Sequence, residues 1–131
     1  MIHVTTSIEI DRPADDVYAF VSDVSNNPKW QRGQRSCTWT SEPPLRVGST
    51  YDQRARFAGR DLVTSFEVTE HEPGRRARFT STSGFRLTIT RTVEPLGEGR
   101  ARFSEEVEGG PQGVLRVLSP LMRRFSSGAP G

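Results

Sequence analysis

The 131-residue sequence contains no run of about eighteen apolar residues, so no segment reads as a membrane-spanning helix. Its first residues lack the basic-then-apolar pattern of a secretory signal, which makes the cytoplasm the expected location. Cys37 is the only cysteine, which excludes an internal disulfide and a CxxC metal or redox site. Lysine is almost missing, since 17 of the 18 basic residues are arginines, yet charge of one sign is missing too: the net charge is only +2. Arginines 54, 56, 78, 86 and 102 alternate with acids along the same segments, whereas nucleic acid needs a single-sign patch, so no nucleic-acid partner is expected. Histidine is scarce. His3 falls on an outward strand position and His71 beside the Pro73-Gly74 turn, both expected at the surface. Without an inward histidine, Ser-His-Asp and Cys-His catalysis have no base, and no His, Asp or Glu cluster has metal-ligand spacing. The expectation is a protein that needs no metal, nucleotide or flavin cofactor.

Apolar residues are also few, at 33%, which suits an antiparallel sheet wetted on one side better than a doubly covered parallel one. The length fits one domain, read as residues 1–126 with a tail at 127–131.

What is present is dominated by period-two alternation. Over residues 85–107, Phe85, Leu87, Ile89, Arg91 and Val93 alternate with polar residues, and Ala101, Phe103, Glu105 and Val107 do so after a Gly97-Glu98-Gly99 turn. This hairpin sets Val93 opposite Phe103, Arg91 opposite Glu105 and Ile89 opposite Val107, placing one charged pair on an otherwise apolar face. Ile2, Val4, Thr6, Ile8 and Ile10 form a first strand of equal regularity. A short helix follows, with Pro13 at its start, Asp15 and Asp16 in its first turn and Val17, Phe20, Val21 and Val24 at helical spacing. Asp23 caps a second short turn that Pro28 limits, before Trp30.

Residues 34–41 read as a weaker strand with Cys37 and Trp39 on one face. Beyond Gly48, a Gly59-Arg60 turn pairs Phe57 with Leu62, Ala55 with Thr64, Gln53 with Phe66 and Tyr51 with Val68. Pro73-Gly74 sets Val68 across from Phe79 and Phe66 across from Ser81, and a turn near Ser83-Gly84 sets Phe79 against Leu87. Every turn leaves the apolar residues on one face, which a one-residue slip would break. Val114, Leu115, Val117, Leu118, Leu121, Met122 and Phe125 then supply an apolar helical stripe to cover that face. The expected core joins Phe57, Phe66, Phe79, Leu87, Ile89, Phe103, Leu118 and Leu121 in one α+β domain.

In order and spacing, Arg12-Pro13, Val17-Tyr18-Ala19-Phe20, Asp23, Asn27-Pro28, Trp30, Val47-Gly48 and the Glu70-to-Pro73 turn resemble the SRPBCC or START-like superfamily, in particular its polyketide cyclase/dehydrase-like branch. The resemblance spans residues 2–125. It implies a helix-grip fold: a curved seven-stranded antiparallel sheet with two short helices near the N-terminus, and a C-terminal helix packed on the concave face over an apolar cavity. It implies no single activity, because the superfamily includes lipid carriers, hormone receptors, cyclases and oxygenase domains. The final helix is short for that superfamily, about four turns over residues 111–125. Either the cavity is less covered, or a partner subunit completes the lid in a homodimer, or the sequence stops short of the native end.

Candidate ligand-binding residues are Trp30, Trp39, Tyr51, Gln53, Phe66, Phe79, Ser81, Phe85, Arg91, Phe103 and Glu105, with Thr64 also inward. Tyr51, Arg91 and Glu105 are the weak catalytic candidates. For Arg91 and Glu105, a structural ion pair stands against a site that orients a ligand carboxylate, carbonyl or enolate. For Tyr51, a rim hydroxyl stands against a general acid. Three functions are consistent with these residues: a binder of a hydrophobic lipid, aromatic or polyketide-like molecule, a cofactor-free polyketide cyclase/dehydratase, or an interaction module in a complex.

Overall fold

The computed structural model describes residues 2–30, 34–57 and 59–110. The first strand, β1 (Ile2–Ile10), leads into helix α1 (Ala14–Ser22), a 3-10 turn (Val24–Asn26) and the four-residue helix α2 (Asn27–Trp30). Six strands follow: β2 (Gln34–Trp39), β3 (Thr50–Phe57), β4 (Arg60–Glu72), β5 (Arg76–Ser83), β6 (Leu87–Pro95) and β7 (Ala101–Gly109). They form one open, curved antiparallel sheet in the order β1-β7-β6-β5-β4-β3-β2. The meander from β2 to β7 needs only local turns, and β1 closes onto β7 from the other end of the chain.

Alternation decides which face is buried. Along β7 every odd position from Ala101 to Gly109 is buried, while Arg102, Ser104 and Glu106 are half-buried and Glu108 exposed. Helices α1 and α2 lie on the buried side, where Val17, Val21 and Trp30 pack with Ile10, Val93, Ala101 and Phe103. A second cluster joins Val24, Tyr51, Phe66, Val68, Phe79, Leu87, Ile89 and Val107. The expected core residues Phe66, Phe79, Leu87, Ile89 and Phe103 are thus all buried, Phe103 in the first cluster and the others in the second. The side chain of Phe57, the expected C-terminal helix with Leu118 and Leu121, and the expected tail at 127–131 lie outside the described residues. The opposite face carries opposed charges, Glu70 with Arg76 and Arg78 at 2.8 and 2.9 Å and Glu94 with Arg102 at 2.9 Å, and a hydrogen bond between His3 and Glu106 at 2.6 Å. Such exposed pairs each contribute only about 0–1 kcal/mol, so this face serves solubility more than stability.

The β6–β7 register is the expected one, with Arg91 opposite Glu105. Two other hairpins differ from expectation by two residues. Across β3 and β4, Tyr51 faces Phe66, Gln53 faces Thr64, Ala55 faces Leu62 and Phe57 faces Arg60, so Gly59, at φ 79°, is the second loop residue and not the first. Between β5 and β6, Phe79 faces Ile89 instead of Leu87, and Phe85 belongs to the turn, not the strand. A two-residue shift preserves side-chain parity, so the buried face is unchanged. Pro28 also differs: it lies inside α2, within a first turn that needs no proline N–H.

Gly109 shows how tightly β7 meets the turn before β6. A Cβ there would lie 2.3 Å from the Arg86 carbonyl oxygen and 2.9 Å from Leu87 Cδ2, whereas one on Gly99 meets nothing within 4 Å. Gly109→Ala is therefore expected to destabilise by about 1–3 kcal/mol through overpacking. Gly99→Ala should stay within about 0.5 kcal/mol of wild type, both read from denaturant unfolding.

Candidate functional site

The sequence-selected residues divide into two groups on the concave face. Arg91, Glu105, Phe103 and Trp30 lie beneath the short helices. The Arg91 Nε donates to Glu105 Oε2 at 2.8 Å, and its Nη1 donates to the Val21 carbonyl at 3.2 Å and to Asn27 Oδ1 at 3.0 Å. The guanidinium also lies 4.8 Å from the Trp30 ring centre and 5.4 Å from that of Phe79. Trp30 meets Phe103 edge-on at 5.8 Å. Arg91 and Glu105 retain 4% and 0% of their exposure, so each charge depends on the other for compensation. Burial pushes the Glu105 carboxyl above its ordinary value, opposed by the charge and hydrogen bond of Arg91. Glu105 Oε1, and Thr6 Oγ1 from the residue paired with Glu105 on β1, are buried without a hydrogen-bond partner.

The second group occupies the β2–β6 side. Tyr51 stacks on Phe66 at 5.2 Å and meets Phe79 edge-on at 5.8 Å. Burial raises the Tyr51 hydroxyl well above its ordinary pKa, so it remains a proton donor. Gln53 and Thr64 face each other across β3 and β4 and are buried, at 8% and 4% exposure. Trp39 is half-buried, and its Nε1 donates to Asp23 Oδ1 at 3.3 Å, tying β2 to the cap of the 3-10 turn. Ser81 is half-buried with its hydroxyl accepting from the Leu87 N–H at 2.9 Å, and Phe85 is half-buried against this cluster. Cys37, inward beside Gln53, has its thiol pushed up to about 12 by burial, with the Asn27 amide 3.6 Å away; this is an inert core thiol.

His71 is where the sequence reading fails. It is half-buried, and its Nε2 is hydrogen-bonded to the Tyr18 hydroxyl, with the two rings stacked at 6.2 Å. The cause is a bulge between Val68 and Glu70, after which His71 pairs with the buried Ala77. Strict alternation from Val68 would turn Glu70 inward; an acid at an inward position was the available signal for an inserted residue. Burial raises the pKa of the Tyr18 hydroxyl above its ordinary value, opposed by the nearby backbone of Gly74. His3 is exposed against Glu106, as expected. Among the described residues no three His, Cys, Asp or Glu side chains are grouped to hold a metal ion. No helix among them is long and apolar enough to cross a membrane.

A family model described as polyketide cyclase/dehydrase and lipid transport matches residues 1–129. A START superfamily protein from Mycobacterium smegmatis superposes with a TM-score of 0.79 at 16% identity, covering 98% of this chain and 97% of that one. A Polyketide_cyc-like protein from Corynebacterium glutamicum is 30% identical over 86% of this chain and 68% of its own, with a TM-score of 0.58. The Zhui aromatase/cyclase from Streptomyces sp. R1128 gives 0.69 at 14% identity, covering 96% and 85%. At 14–16% identity such likeness establishes the fold alone. No curated protein matches.

Arg91→Met, which strands a buried carboxylate, is expected to cost about 3–5 kcal/mol, and the double change with Glu105→Gln distinctly less. Equal losses in denaturant unfolding would show that the pair is uncoupled. A pH effect accompanies it. Because the folded state raises the Glu105 pKa, its proton stabilises the fold below the ordinary carboxylate pKa, and this contribution is lost as pH rises through the raised value. Unfolding midpoints followed upward from about pH 4 should therefore fall less in Glu105→Gln than in wild type.

Proposed function

We propose, given that this chain belongs to the family of polyketide cyclases/dehydrases and lipid transport proteins, that it binds a hydrophobic small molecule against the concave face of its sheet. The observation that carries this reading is the β2–β6 side of that face. There Tyr51, Phe66 and Phe79 form a buried aromatic cluster, with Gln53 and Thr64 buried opposite each other on the adjoining strands β3 and β4. Such a cluster suits a ring-containing ligand: burial contributes about 25 cal/mol per Å2 of apolar area, and a few polar groups fix orientation.

A second reading, cofactor-free cyclisation or dehydration of a polyketide, draws support from Tyr18 and His71. A phenol hydrogen-bonded to an imidazole can pass a proton in either direction, and this pair is half-buried where α1 meets the end of β4. Binding is the primary reading because it requires only the surface that both share. Arg91 and Glu105 serve in it as a structural pair, their hydrogen bonds directed to each other and to the helices.

Trp39, half-buried at the edge of this surface, is the natural probe. Titration with flavonoids, hydroxylated anthraquinones and fatty acids should quench or shift its emission. A ligand at 100 times its Kd should stabilise the fold by about 2.7 kcal/mol and raise Tm accordingly. Silence in both signals across the whole panel would overturn the reading and favour an interaction module.

A further inference from the structure

Resting on the binding reading, one feature of the concave face narrows the ligand class. Among the described residues, Arg91 is the only buried cation, and its partner Glu105 is the only buried anion. The charge of Arg91 is already balanced, and its Nε and Nη1 are committed to Glu105, Val21 and Asn27. Trp30 and Phe79 cover the guanidinium plane. His71 is engaged with Tyr18. A carboxylate entering this face would therefore lose its water and meet no uncompensated buried cation among the described residues, which is strongly unfavourable in an apolar interior.

The neutral polar groups are placed otherwise. Tyr51 and Gln53 are two residues apart on β3, hence on the same face, and Thr64 lies directly across from Gln53 on β4. All three are buried, yet none of their side chains is hydrogen-bonded to another described residue. Buried amides and hydroxyls are nearly always satisfied by a partner, which leaves these three available for one that enters with a ligand. The Gln53 amide offers donors and an acceptor, and the hydroxyls of Tyr51 and Thr64 can do either. This set complements hydroxyl, carbonyl or amide groups on a ring and carries no charge to pair with an ion.

We infer that the concave face selects uncharged, hydroxyl- or carbonyl-bearing ring compounds over carboxylates, and that Gln53, with Tyr51 and Thr64, determines this preference. The discriminating pair is 2-naphthamide and 2-naphthoate, nearly identical in shape and different in charge, with naphthalene as the apolar reference. At neutral pH, Trp39 fluorescence should give a Kd for the amide about 100-fold lower than for the carboxylate, the ratio expected when one buried ion goes uncompensated. Gln53→Leu should raise the Kd of the amide about tenfold relative to that of naphthalene, with a cooperative unfolding transition showing that the variant is folded. Thr64→Val provides the same comparison if the first variant does not fold. Equal or tighter binding of 2-naphthoate would overturn the inference, since it requires a cation at the site that the described residues do not supply, while leaving the binding reading intact. An unchanged amide Kd in the variants would overturn the role of Gln53 and Thr64. Silence from both naphthyl compounds also overturns the inference, whereas only silence from the wider panel overturns the binding reading itself.

Discussion

A guanidinium in an apolar interior must be neutralised where it stands, because the cost of an uncompensated buried charge exceeds what one contact elsewhere can offset. Arg91 meets that constraint with partners from four parts of the chain: Glu105 on β7, the Val21 carbonyl in α1, Asn27 in α2 and the rings of Trp30 and Phe79. The short helices, of nine and four residues, are too brief to be stable alone. Their position on the sheet is set by apolar packing of Val17, Val21 and Trp30, and by this directional set of hydrogen bonds. Apolar packing tolerates sliding, whereas hydrogen bonds to a fixed guanidinium do not. The ion pair therefore specifies where the helices dock more than it adds net stability.

The same constraint divides the concave face by function. Where the helices cover it, charge is present but consumed, and the interior is structural. On the β2–β6 side, the buried polar groups are neutral and the aromatic rings are Tyr51, Phe66 and Phe79. Tyr18 and His71 are joined by a hydrogen bond where α1 meets the end of β4.

What was legible in the sequence follows from what is local. The alternation of Ile89, Arg91 and Val93 against Phe103, Glu105 and Val107 gave both the buried face and the register, because a short glycine-containing turn leaves few ways to bring the two runs together. At the β3–β4 and β5–β6 turns the registers were read two residues off. Either choice buries the same side chains, so hydrophobic pattern carries no information between them. The bulge after Val68 is different in kind, since one inserted residue reverses parity and brings His71 inward, and only the charge of Glu70 hinted at it.

By itself, then, the sequence determined the strand content, the buried face of each strand up to the bulge in β4 and beyond that strand, and the opposition of Arg91 to Glu105, all of which follow from the period-two geometry of an extended chain. Only the tertiary structure decided that Arg91 is occupied by Val21 and Asn27, 70 and 64 residues away in the chain, and that Tyr18 meets His71 at a separation of 53. The reason is physical: side-chain parity is a property of neighbouring peptide units, whereas the partner of a buried polar group is chosen by which distant segments the curved sheet brings within hydrogen-bond reach.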